Sequence, residues 1–99
     1  MSEVKIEAGR LVCPKCAETY LHHGKTRIFT RLVEDGTHGC LVESDGFNTT
    51  VATNAPMDDC PSRRRDGMTI AMYCEMCADI GNLVILQHKG ETFMEWDLI

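Results

Sequence analysis

The chain has 99 residues, which suits one domain and leaves no room for two of ordinary size. Its net charge of −5 argues against a broad phosphate-binding surface and against docking on an anionic membrane. No segment approaches the roughly 18 consecutive apolar residues that a membrane-spanning helix needs, so no membrane partner is expected.

Six cysteines are many for a chain of this length. The first ten residues are polar and lack the apolar core of a secretory signal, so we expect a cytoplasmic protein whose thiols stay reduced. In that compartment, cysteines are metal ligands or free thiols more often than disulfides. The alternative is a six-cysteine disulfide framework, which an oxidising compartment would favour.

The pattern along the chain predicts one domain over 1–99, with residues 1–10 loosely ordered. Six segments rich in β-branched and aromatic residues then predict strands: 25–33, 40–44, 47–53, 68–73, 83–87 and 92–96. The Asp45-Gly46 pair between the second and third segments is typical of a type I′ hairpin turn. No segment predicts a long helix. We therefore expect a mostly β fold with an antiparallel sheet of about five to six strands.

The segment 54–67 interrupts these strands. It contains Pro56 and Pro61, two adjacent aspartates and a run of three arginines. Such a composition predicts a long exposed loop, and loops of this length in compact domains are often functional.

Two C-x2-C motifs, Cys13-Pro-Lys-Cys16 and Cys74-Glu-Met-Cys77, are the strongest chemical signal in the sequence. Each turn directs two thiolates to one point, and two such turns facing each other complete a tetrahedral four-sulfur site. We therefore predict that the four cysteines bind one structural Zn²⁺, although thiolate ligands also accept iron. Since 57 residues separate Cys16 from Cys74, the fold must bring the two pairs together.

Redox chemistry at a C-x2-C pair is the main alternative to metal binding. It would require a helix N-terminus to lower the pKa of one thiol, within a thioredoxin-like βαβ unit. The sequence shows no such pattern.

The paired knuckles flanked by strands resemble the zinc β-ribbon family. The rest of the chain is similar to small bacterial zinc-ribbon-containing proteins of unassigned activity, in the segments 22–23, 28–31, 61–67, 74–77 and 87–90 and at Trp96. The resemblance implies a metal site and a β fold. Two features depart from it: Ala17 and Ala78 stand where many zinc ribbons have glycine, and the segment between the knuckles is long.

The remaining candidate residues allow weaker hypotheses. Cys40 is expected to be a small core residue and Cys60 a free loop thiol, but either would be a nucleophile if a histidine lay within hydrogen-bond reach. The candidate histidines are His22, His23, His38 and His88. A second metal site using Cys60 and histidines is a further alternative.

Arg63, Arg64 and Arg65 form the one basic run in the sequence. A short charge run is usually a solvated loop, but guanidinium groups also bind phosphates and carboxylates in a bidentate manner.

A closed four-thiolate site leaves no open coordination position for a substrate, so it indicates structure rather than metal catalysis. We therefore expect a non-enzymatic module that acts through protein contacts. A nucleic-acid-binding ribbon using Arg63–Arg65 is the alternative, and an enzyme dependent on a cysteine or on redox chemistry is the second alternative.

Overall fold

The computed structural model describes residues 2–99, in which every regular element is a β-strand. Three strands of two residues come first: β1 (Ser2–Glu3), β2 (Ile6–Glu7) and β3 (Arg10–Leu11). Six longer strands follow: β4 (Leu21–Arg31), β5 (His38–Ser44), β6 (Thr49–Pro56), β7 (Gly67–Cys74), β8 (Ala78–His88) and β9 (Glu91–Leu98).

The strands form a seven-stranded antiparallel sheet in the order β1-β9-β8-β7-β4-β5-β6, and β2 and β3 form a separate two-stranded sheet. The mostly β prediction is confirmed, because each of the six long strands overlaps one of the six predicted segments. The segment 1–10 has more structure than its sequence indicated: β1 pairs with β9, placing Ser2 opposite Trp96. Across residues 2–99, no helix is long and apolar enough to cross a bilayer.

The pairing of β4 with β7 decides where the two cysteine motifs lie. Their register places Leu21, at the start of β4, opposite Cys74, at the end of β7. The intervening chain forms the β5–β6 hairpin and the loop that follows it, outside this pair of strands. The motif that precedes β4 and the motif that follows β7 therefore meet at one end of the sheet.

The β5–β6 turn differs in detail from its prediction. Asp45 and Asn48 close it through a backbone hydrogen bond of 3.2 Å, which leaves Gly46 and Phe47 as the central residues. The Asp45 carboxylate accepts the N–H groups of Phe47 and Asn48 at 2.9 and 2.8 Å. Only Gly46 of the two central residues has a positive φ, at 93°, whereas a type I′ turn needs two, so the predicted turn type is wrong.

Two apolar clusters cover opposite faces of the sheet at opposite ends. The first, called the metal-end cluster after the candidate metal site of the two cysteine motifs, lies at the end of the sheet where these motifs meet, called the metal end. Residues 4–20 pack there on one face, and the cluster contains Cys13, Cys74, Ile80, Leu83 and Trp96. The loop-end cluster lies on the other face and contains Phe29, Ala55, Met57 and Cys60. Each face is therefore covered at one end only.

The loop between β6 and β7 covers residues 57–66, since residues 54–56 belong to β6 and Gly67 begins β7, and it is not exposed throughout. Met57 and Ser62 are 3% exposed, because the loop folds back over the sheet. The guanidinium group of Arg31 donates hydrogen bonds to the carbonyl oxygens of Ser62 at 2.6 Å, Arg65 at 2.8 Å and Gly36. One side chain thus binds two carbonyls of this loop and one carbonyl of the β4–β5 connection, which a sequence pattern does not reveal.

Candidate metal centre

The four cysteines of the two C-x2-C motifs form one cluster. The Sγ atoms of Cys13, Cys16, Cys74 and Cys77 all lie within 4.8 Å of one another. Cys13 and Cys74 are buried, and Cys16 and Cys77 are half-buried. The expected convergence of the two motifs is confirmed, and no disulfide joins any of the six cysteines.

Each motif is a tight turn that continues directly into the sheet or packs against it. The second forms the tip of the β7–β8 hairpin, where Cys74 is paired with Ala78. A backbone hydrogen bond joins the second turn to the segment that follows the first turn. In it, the N–H of Glu75 donates to the carbonyl of Tyr20, just before β4, at 3.1 Å. The first turn is closed by a hydrogen bond of 3.0 Å from the N–H of Ala17 to the carbonyl of Cys13.

Ala17 and Ala78 occupy equivalent positions, directly after the second cysteine of each motif. Their φ angles are 66° and 64°, in the left-handed region that residues other than glycine disfavour. Ala17 and Ala78 thus have a backbone conformation that favours glycine, which explains why many zinc ribbons have glycine at these two positions. Alanine adopts it at a cost of about 1–2 kcal/mol per residue.

The spacing of the sulfur atoms fits a tetrahedral ion. Metal–sulfur bonds of about 2.3 Å place the ligands of such an ion about 3.8 Å apart. The Sγ atoms of Cys16 and Cys74 are 3.6 Å apart, close to that value. The N–H of Lys15 points at the Sγ of Cys13 at 3.4 Å, which stabilises a thiolate. The four cysteines could therefore hold a metal ion without rearrangement of the fold.

The thiols of Cys16, Cys74 and Cys77 lie close enough to change one another's pKa values. Burial raises the pKa of Cys74, but the N–H groups of Met76 and Cys77 and the neighbouring thiols lower it to about 7. A hydrogen bond with Cys16, together with burial, raises the pKa of Cys77 to about 12. The pKa of Cys16 is also raised: the backbone at Glu18 lowers it, but burial and the nearby thiols outweigh that effect. A thiolate at Cys74 thus opposes ionisation of Cys16 and Cys77, unless a cation compensates the charge.

None of the other candidate residues joins this cluster. The Nε2 atom of His22 lies 2.9 Å from a carboxylate oxygen of Glu75 on the exposed surface. The ring of His38 is hydrogen-bonded to the hydroxyl of Thr37 at 3.0 Å. His23 and His88 are exposed strand residues.

The two remaining cysteines lie away from the cluster. Cys40 is half-buried on β5, opposite Thr30 of β4. The thiol of Cys60 lies 3.6 Å from the carbonyl oxygen of Arg65, and burial raises its pKa. A raised pKa is the opposite of what a nucleophilic cysteine requires.

Two of the three arginines in the basic run are paired with carboxylates. Arg64 forms a bidentate ion pair with Asp35, one contact of which is 3.0 Å. Arg65 lies 2.8 Å from the carboxylate of Glu34. The hydrogen bond from Arg64 holds the pKa of Asp35 below its usual value. The positive charge of this run is therefore largely compensated.

Together, the fold and the cluster define an all-β protein with a four-cysteine site. Comparison of the chain with protein-family models, curated proteins and solved structures finds no match.

Proposed function

We propose that this chain is a small zinc-binding module, related to the zinc ribbons, that acts by contacting other proteins and does not catalyse a reaction. The closed cluster of four cysteines carries the proposal. Four thiolates satisfy the tetrahedral preference of Zn²⁺, and such a site leaves no position for water or substrate. The ion would hold the turn before β4 to the β7–β8 hairpin, and its binding would couple to folding.

Zn²⁺ is the ion proposed, and iron is the alternative that the same thiolates admit. A cluster of free thiols also needs a reducing compartment, so the proposal includes a cytoplasmic location. Native mass spectrometry of the purified protein, with and without a chelator, tests the metal. We expect one zinc per chain. The chelator should remove this zinc, and the charge states should then change from those of a folded chain to those of an unfolded chain. Iron bound in place of zinc would change the proposed identity of the ion. A folded chain without metal would contradict the site itself.

The choice of protein as the partner depends on the charges. A nucleic-acid interface needs a row of uncompensated cations, whereas Arg64 and Arg65 are engaged by Asp35 and Glu34. Arg63 alone of the run has no ion pair among the residues described. A pull-down from the native host should recover a stoichiometric protein partner, and the failure to find one would count against the proposal.

A direct titration tests the alternative function, nucleic-acid binding. Fluorescence anisotropy with labelled DNA and RNA at low salt should show no binding by the zinc-loaded protein. Binding that weakens steeply with salt, and that falls when Arg63 is changed to alanine, would favour the nucleic-acid alternative instead.

A further inference from the structure

We infer that the chain forms a two-fold homodimer in which two sheets stack through the uncovered part of one face. This surface is called the open face and consists of one row of side chains that crosses all six long strands: Met94, Ile85, Met68, Ile28, Val42 and Val51. The inference goes beyond the proposed zinc module and would stand with another ion in the site.

The register of the sheet aligns this row. Met94 is opposite Ile85, Ile85 opposite Met68, and Met68 opposite Ile28. The row continues with Val42 opposite Ile28 and Val51 opposite Val42. Residues opposite each other in antiparallel strands project from the same face. Six apolar side chains therefore form an uninterrupted line across the sheet.

The row lies beyond the part of the face that residues 4–20 cover. Val51, Met94 and Ile28 are 62%, 40% and 38% exposed, and the other three members are half-buried. A shallow cavity of about 180 Å³ opens beside Met68 and Ile85. Such a line of apolar surface, with a depression about the size of one side chain, is typical of an interface rather than of a solvated sheet.

The surroundings of the row are largely uncharged. On one side lie Thr26, Ser44 and Thr49, and on the other lie Thr92, Gln87, Thr30 and Cys40. Asp66 is half-buried in the second of these rows, where its carboxylate accepts the backbone N–H of Arg31 at 2.8 Å. The opposite face, in contrast, carries a row with Glu95, Arg27 and Glu43. For a chain of net charge −5, the open face is thus a surface where two copies can approach without like-charge repulsion.

The order of the side chains matches a second copy. A two-fold axis parallel to the strands reverses the row, so that Met94 of one copy meets Val51 of the other. The same operation brings Ile85 to Val42 and Met68 to Ile28. Each contact then joins a longer side chain to a shorter one, an arrangement that favours interdigitation of the two faces. A two-fold interface of this kind is self-complementary and closed.

The same axis leaves room for the metal-binding segments. In each copy, residues 4–20 cover the metal end of β7, β8 and β9 through the metal-end cluster. The reversed copy places its own segment above the metal end of β5 and β6, where Ser44 and Thr49 are uncovered. The turn there carries Phe47, which is 95% exposed and would gain a partner surface.

The size of the open face sets the expected affinity. Six strands about 4.8 Å apart make the open face about 29 Å wide, and two to three rows about 7 Å apart make it about 17 Å long. Each copy thus contributes about 500 Å², and the dimer buries about 1,000 Å² in total. This area is at the lower limit for a specific complex. A dissociation constant in the micromolar range is therefore expected.

Sedimentation velocity of the full-length, metal-loaded protein between about 1 and 200 µM tests the dimer. The variants Val51→Glu and Met94→Lys should each raise the dissociation constant at least about tenfold, because each buries a charge in the row. Thr50→Glu is the matched control, since it adds the same charge to the same strand on the opposite face, and it should leave the constant within about twofold. Circular dichroism and metal content confirm that each variant is folded.

The double variant Val51→Glu, Met94→Lys tests the orientation. The reversed row places the new carboxylate beside the new ammonium of the other copy, so the double variant should dimerise more tightly than either single variant. A double variant no tighter than the single ones would overturn the two-fold arrangement. A wild-type protein that stays monomeric at 200 µM, or a Thr50→Glu variant as weak as Val51→Glu, would overturn the open face as the dimer interface.

Discussion

The Sγ atoms of Cys16 and Cys74 lie 3.6 Å apart, although 58 positions separate these residues in the sequence. The register of β4 against β7 closes this distance, because Leu21 pairs with Cys74. The cluster is therefore a product of the sheet and also connects the chain segment before β4 to the β7–β8 hairpin. A change at the cluster should affect the whole metal end, including Trp96, the chain's one tryptophan, which is fully buried there.

Removal of one cysteine of the cluster should abolish metal binding. In a titration with Co²⁺, a tetrahedral four-thiolate site gives intense thiolate-to-metal absorption, which should be lost in Cys74→Ala. Structural zinc sites contribute on the order of 10 kcal/mol to folding, so the variant should also be largely unfolded at 25 °C. Cys40→Ala is the control, because Cys40 lies outside the cluster and its variant should bind one Co²⁺ per chain. Equal binding by both variants would show that the ion lies elsewhere.

The affinity for the ion should fall as the pH falls. The raised pKa values of Cys16 and Cys77 mean that both thiols are protonated at pH 7.5 in the metal-free cluster. Binding must displace both protons, and part of a third from Cys74, whose pKa is about 7. Displacement of at least two protons changes the dissociation constant at least about 100-fold per pH unit, in the direction of weaker binding at lower pH.

Calorimetry in two buffers of different ionisation enthalpy measures this proton release. At pH 7.5, at least two protons should leave per ion bound. Release of one proton or fewer would mean that the metal-free cluster already carries several thiolates, which contradicts the raised pKa values of Cys16 and Cys77. The matched measurement on Cys40→Ala should give the wild-type number.

Replacement of Ala17 or Ala78 by glycine should stabilise the protein. Both residues have φ near +65°, where alanine is strained and glycine is not. The relief of about 1–2 kcal/mol exceeds the entropy that glycine adds to the unfolded chain, so each variant should gain about 0.5–1 kcal/mol. Urea denaturation of the metal-loaded protein measures the difference. Ala52→Gly, in the exposed part of β6, is the control and should lose about 0.5–1 kcal/mol; a loss at Ala17 as well would contradict the strain.

The sequence allowed the six long strands and the four-cysteine cluster to be predicted, because both depend on local signals. The alternation of Met68, Ile70 and Met72 predicts one strand and the apolar run 83–87 another, and the C-x2-C spacing predicts that two thiols point to one place. The order of the strands was not accessible, since it depends on which strands pair over long distances. The open face was missed for the same reason: Ile28 and Met68 form one row only through the β4–β7 register.

The buried part of the loop was also missed, and its cause is a single polar residue. The sequence predicts Arg31 as one residue of the strand 25–33, and nothing in its local sequence distinguishes it from a solvent-exposed arginine. In the fold, its guanidinium group donates to carbonyl oxygens of Gly36, Ser62 and Arg65. Interactions of this type join distant segments through backbone atoms, which carry no sequence signature.

Arg31→Lys should therefore destabilise the protein despite the conserved charge. A lysine ammonium cannot reach three carbonyl groups in the planar arrangement of a guanidinium, so at least two of these hydrogen bonds would be lost. Hydrogen bonds to charged groups contribute about 1.5–3 kcal/mol each, and we expect a net loss of about 2–4 kcal/mol in the free energy of unfolding. Urea denaturation measures this loss, and hydrogen exchange should show faster exchange in the loop 57–66. Arg63→Lys, at an exposed position of the same loop, should change the stability by less than about 0.5 kcal/mol. If Arg31→Lys were as stable as that control, the carbonyl contacts would contribute nothing to the packing of the loop.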